Sequence, residues 1–106
     1  MLPAWETEKQ AYFARIDPAS GKISAPLPAS GAAENRKYPA VAANAKGETL
    51  FVWTEGMGWK KRGRVAWQLY DKSGKPTPEH GAADGIPTWS LVATFAHPDN
   101  SFTIVY

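Results

Sequence analysis

Glu55 ends the run Trp53-Thr54-Glu55-Gly56 and is the best lone carboxylate candidate for chemistry in the chain. One carboxylate does not make a glycosidase. Cleaving a glycosidic bond generally needs two positioned groups flanking it, and the sequence offers no convincing second member. At the exit of an apolar run, Glu55 also reads as a plain charged strand end. Beside it, Gly56-Met57-Gly58-Trp59-Lys60-Lys61-Arg62-Gly63 sets an indole between glycines and a basic run. A tryptophan is unfavourable in water unless it packs or stacks, which leaves Trp59 three readings. It folds back over a neighbouring sheet, it stacks on a sugar ring while Arg62 or Glu55 bonds the hydroxyls, or it meets another protein. Trp5 and Trp89 are further candidates for stacking on carbohydrate.

Other chemistries lack their residues. His80 and His97 are 17 positions apart with no carboxylate at ligand spacing, so no metal is expected. Cysteine is absent, which removes disulfides and thiolate ligands. Gly56-Met57-Gly58 lacks both the Lys-Ser/Thr ending and the strand–loop–helix setting of a phosphate loop. Tyr106 ends a strand-like run, where a core or edge role is expected rather than a nucleophile. Lys60-Lys61-Arg62-Gly63-Arg64 is the only basic cluster in a chain of net charge +2. It reads as a solvated hairpin tip, and nucleic acid is not an expected partner. No cofactor is expected. No stretch approaches the ~20 apolar residues of a membrane span, so no membrane partner is expected either. Met1-Leu2-Pro3-Ala4 lacks the basic and apolar regions of a signal peptide.

The elements that carry these residues are strands. The 106 residues are 43% hydrophobic and include five Trp, four Tyr and four Phe, which suits packed sheets. Helical periodicity is nearly absent, since Ala29–Glu34 is interrupted by Gly31 and Ala40–Ala45 follows Pro39. In Thr49–Thr54 nearly every residue is apolar or β-branched, as in a strand covered on both faces. The text also repeats: Asp17 to Asp71 is 54 positions, Gly21 to Gly74 is 53 and Trp53 to Tyr106 is 53. A period near 50 with several short strands per unit is the pattern of propeller blades. The sequence therefore predicts an all-β chain of about two four-stranded antiparallel units, shifted in phase against its termini. Residues 1–37 form a partial blade, 38–80 a complete one and 81–106 a second partial one. Within the complete blade the strands are expected at Tyr38–Ala43, Thr49–Thr54, Arg64–Tyr70 and, briefly, Lys75–Pro78. Asp17 and Asp71, each followed by Ser-Gly-Lys, are read as structural turns in which a carboxylate accepts backbone N–H groups. Gly21 and Gly74 supply the left-handed residue.

Those two turns resemble a degenerate Asp box, the turn between strands three and four of sialidase-type propellers. The full box carries Ser or Thr two residues ahead of its Asp and an aromatic closing it, where this chain has Arg15 or Leu69 and Ile23 or Pro76. Trp5-Glu6-Thr7, Tyr12–Asp17, Tyr38–Ala42, Gly47–Leu50, Trp53–Gly56, Ala66-Trp67-Gln68 and Trp89-Ser90-Leu91 resemble the C-terminal blades of secreted bacterial sialidase-like (BNR-repeat) proteins. The resemblance implies a secreted or periplasmic setting and a carbohydrate-related module; with no second catalytic group the chain is expected to be non-catalytic on its own, the catalytic part of a sialidase being the third alternative. It carries over no arginine clamp, because Arg15, Arg36, Arg62 and Arg64 lie in no matching motif. An incomplete ring with apolar edges needs partners. These are the remaining blades of a longer chain, or further copies of the same chain closing a homotrimeric six-bladed lectin, with a glycan as ligand.

Overall fold

The computed structural model describes residues 2–31, 35–56 and 61–106. Its described residues form nine strands in three antiparallel sheets, with no helix and no closed barrel. The first sheet contains β1 (Ala4–Thr7), β2 (Gln10–Phe13) and the two-residue β3 (Leu27–Pro28). The middle sheet runs in chain order through β4 (Lys37–Ala43), β5 (Thr49–Glu55), β6 (Gly63–Tyr70) and β7 (Pro76–Ile86). The last is the hairpin β8 (Ala93–Ala96) and β9 (Phe102–Val105).

One place departs from the expected strands. The fourth strand of the middle sheet is longer than Lys75–Pro78 and runs to Ile86. Pro76 and Pro78 shorten it on paper, but β7 is an edge strand bonded only to β6, where a missing N–H is tolerated. Between β7 and β8 the chain turns at Thr88-Trp89. The Ser90 amide bonds the Pro87 carbonyl at 3.1 Å, Trp89 takes φ +62°, and β8 starts only at Ala93.

The sheets stack face to face, each time in the same sense. One face of the middle sheet presents Phe51, Trp53, Ala66 and Tyr70 to Phe13, Ala11 and Leu27 of the first sheet. Phe13 sits 4.7 Å from the Phe51 ring and 5.0 Å from the Tyr70 ring, both tilted, a favourable aromatic arrangement. The opposite face presents Leu50, Val52, Val65 and Trp67 to Phe102 and Ile104 of the last hairpin. Every residue of β5 is buried, as expected for a strand covered on both sides.

The pairing registers repeat with the sequence. The four pairs of β8 and β9, from Ala93↔Val105 to Ala96↔Phe102, lie 53 positions after Ala40↔Val52 to Ala43↔Thr49. In the first sheet, Tyr12↔Pro28 and Phe13↔Leu27 lie 54 positions before Ala66↔Ala82 and Trp67↔Gly81. Ala4↔Phe13 to Thr7↔Gln10 match Val52↔Trp67 to Glu55↔Arg64 in order. Sequence repeat and ladder agree pair by pair.

At one end of the stack lie four turns of a common plan. Residues 44–48, 71–75 and 97–101 each close by an amide of the first residue bonding the carbonyl of the last, at 2.8–3.0 Å. The fourth residue of each is left-handed: Gly47, Gly74 and Asn100 have φ of 82°, 88° and 70°. Residues 17–22 follow the plan with one residue more. Asp71 Oδ1 accepts from the amides of Ser73 and Lys75 and from the Ser73 hydroxyl, and Asn44 Oδ1 accepts from the amides of Lys46 and Glu48. Arg15 fastens the first sheet to this end by donating to the carbonyls of Lys72 and Asp71 and to the Thr49 hydroxyl.

These hydrogen bonds hold Asp17, Asp71 and Asp99 below the ordinary carboxylate value of 3.8. The Ala19 amide leads at Asp17, and the Ser73 and Ser101 hydroxyls lead at Asp71 and Asp99. A carboxylate lowered in the folded state adds stability above its unfolded pKa and loses it as pH falls through the folded value. The melting temperature should therefore hold from neutral pH to about 4 and fall below it. A triple Asp17→Asn, Asp71→Asn, Asp99→Asn chain keeps the acceptor oxygen, as Asn44 does, and should show a flatter acid limb in calorimetry. An unchanged acid limb would remove these turns as its source.

Candidate functional site

At the opposite end of the middle sheet, the β5–β6 register sets Glu55 directly across from Arg64. The Arg64 Nε donates to Glu55 Oε1 at 2.6 Å. Trp53 points to the same face two residues earlier, and its Nε1 donates to Glu55 Oε2 at 2.9 Å. Arg36, just ahead of β4, places its Nε 3.7 Å from that oxygen and donates through both Nη atoms to the carbonyls of Ala29 and Ser30. Arg36 and Glu55 are only 2% and 4% exposed. Two guanidiniums thus face one carboxylate.

The cluster borders a cavity of about 290 Å³ lined by Ser30, Trp53, Glu55, Arg64, Trp67 and His80. The Arg64 side chain is 47% exposed, and neither of its Nη atoms has a hydrogen-bond partner among the described residues. Gly81 allows β7 to pass the Trp67 indole, since a Cβ there would meet Trp67 Cζ2 at 2.5 Å. The cavity therefore offers indoles, an imidazole and a guanidinium whose Nη atoms have no partner among the described residues. That set suits hydroxyl groups or an anion on a small ring. Among the described residues of the lining, Glu55 is the one carboxylate, and each of its oxygens already has a donor.

The candidates read from the sequence are dispersed. Glu55 lines the cavity. Trp59 lies outside the described residues. Arg62 donates to the Gly85 carbonyl at 2.7 Å, joining the start of the β6 hairpin arm to the end of β7. Trp5 stacks on Tyr12 at 5.9 Å on the outer face of the first sheet, and Trp89 stands 45% exposed in its turn. Trp5, Arg62 and Trp89 lie outside the cavity. Asp17, Gly21, Asp71 and Gly74 occupy the turn end, away from it. Arg64, Arg36 and His80 were not singled out as site residues. Arg64 was legible, because counting outward along the β5–β6 hairpin pairs it with Glu55. Arg36 was not, because its partners come from the irregular segment after β3 and from β5.

A second, larger groove of about 650 Å³ lies between the middle sheet and β9, lined by Leu50, Trp67, Leu69, Phe102, Ile104 and Tyr106 among others. It exists because β8 crosses β4 and the near part of β5, so that the two-stranded hairpin covers only part of that face.

Comparison with known proteins gave no matching family model, no similar curated protein and no similar solved structure.

Proposed function

We propose that the chain is a sialidase-like β-propeller module, non-catalytic by itself, that contributes blades to a ring recognising carbohydrate in a secreted or periplasmic setting. The observation that carries this reading is the constant sense of stacking. Three sheets in matching register turn one kind of face forward and the other kind back, as successive blades of a propeller do. The cavity beside Arg64 is the ligand site in this reading. Its volume lies near the lower bound of ligand pockets and suits one sugar ring rather than an oligosaccharide. Arg64 bonds the hydroxyls or carboxylate of that ring, and the indoles of Trp53 and Trp67 supply apolar surface.

The test is a titration of the 106-residue chain with neutral monosaccharides and with sialic acid, followed by tryptophan fluorescence. A saturable response that Arg64→Ala abolishes is the expected result. No response to any sugar would remove carbohydrate recognition. Release of fluorophore from a fluorogenic sialoside would overturn the non-catalytic reading.

A further inference from the structure

The cavity beside Arg64 is lined by one ring whose charge changes near neutral pH. His80 lies on β7, and its Nδ1 is 3.0 Å from the Pro78 carbonyl. A carbonyl only accepts, so Nδ1 carries the proton of the neutral ring and Nε2 is left as an acceptor. No described residue bonds Nε2. The donors of Gln68, directly across the strand, are already spent on the carbonyls of Leu69 and Thr77 at 2.8 and 2.7 Å.

The register places the other charged groups. Gln68↔His80, Ala66↔Ala82 and Arg64↔Asp84 succeed one another at every second residue, so all six side chains share one face of the sheet. Glu55 lies next to Arg64 on the same face and fixes the guanidinium through Nε, which leaves both Nη atoms for a ligand. Arg36 sits behind Glu55. Glu79 alternates to the opposite face, where it lines the larger groove. The first sheet presents the uncharged Ala11, Phe13 and Leu27 to this face, and the segment after β3 brings Ser30 and Gly31 to the lining.

We infer that His80 sets which ring the cavity selects: neutral, it disfavours a carboxylate-bearing ring, and protonated, it joins Arg64 in holding one. A hydroxyl both donates and accepts, so a neutral sugar keeps a bond to Nε2 in either state. A carboxylate only accepts, and it meets the lone pair of neutral Nε2 as acceptor against acceptor. Protonation makes Nε2 a charged donor, and its bond to a carboxylate is then among the strong ones. Imidazole ordinarily changes charge between pH 5 and 8, a range in which sugar carboxylates stay ionised and guanidinium stays charged. The cavity thus turns from neutral rings toward acidic ones as pH falls. This preference presupposes the sugar site proposed above.

Glucose and glucuronic acid differ only at C6, a hydroxymethyl group in one and a carboxylate in the other. The 106-residue chain is titrated with each at pH 5 and pH 8, followed by tryptophan fluorescence. The ratio of glucuronate to glucose affinity should be about ten-fold higher at pH 5, the size of one charge-assisted hydrogen bond from an exposed side chain. His80→Gln, its fold checked by circular dichroism, should give one and the same ratio at both pH values. The other imidazole, His97, belongs to the turn of the last hairpin, which packs on the opposite face of the middle sheet, and it remains in this variant. A ratio that still changes with pH in His80→Gln would therefore overturn the inference. An unchanged ratio in the unsubstituted chain would overturn it and leave the sugar site standing. No binding of either sugar at either pH would remove the sugar site and the selectivity together.

Discussion

Replacing Glu55 with alanine should be among the most damaging single changes in the chain. Removing one partner of a buried ion pair leaves the other charge buried and uncompensated, at a cost of about 3–5 kcal/mol. Here the stranded charge is Arg36, which is held by two backbone carbonyls and cannot swing into water without giving them up. Arg64 contributes less, since its half-exposed side chain is screened by solvent. A chain of 106 residues loses roughly 4–8 °C of melting temperature per kcal/mol, so Glu55→Ala should melt about 12–40 °C lower by circular dichroism. Substituting Arg36 and Glu55 together should cost less than the sum of the two single changes. Additive losses would show that the two residues do not act as a pair.

Phe13→Ala should come next. Phe13 is fully buried and is the main contact of the first sheet on the middle one, touching Phe51 and Tyr70. Truncating a buried phenylalanine costs about 3–5 kcal/mol through lost transfer energy and the cavity left behind. The loss should not be uniform. Hydrogen exchange should accelerate most in β1 and β2, because β4 to β7 keep their own ladder and their contact with the last hairpin. Equal acceleration across all three sheets would mean that the stack opens as one unit and that Phe13 is not a local seam.

What was legible in the sequence is what local chemistry decides. The apolar run of Thr49–Thr54, the amphipathic Arg64–Tyr70 and the glycines after Asp17 and Asp71 each settle a strand or a turn from a few neighbours. β7 was misjudged because its prolines argue against a strand, and only its place at the sheet edge makes them harmless. The candidate site was only half legible. Glu55 stood out as a charge at the end of an apolar run, but its guanidinium partners depend on pairing and on an irregular segment that no local pattern specifies. Arg15 was hidden in the same way, since the groups it binds lie 34 to 57 positions along the chain.

The matching registers have a consequence for how such a chain can change its length. Each sheet meets its neighbours through the same pair of faces, so an inserted repeat of 53 or 54 residues finds both of its interfaces already made. An insertion inside a strand must break a ladder or turn a β5-like strand inside out, since one residue of slip exchanges its two faces, whereas the turns absorb extra length, as residues 17–22 do. Growth and loss are thus quantised, and the stability of a longer relative should rise in nearly equal increments with each repeat added.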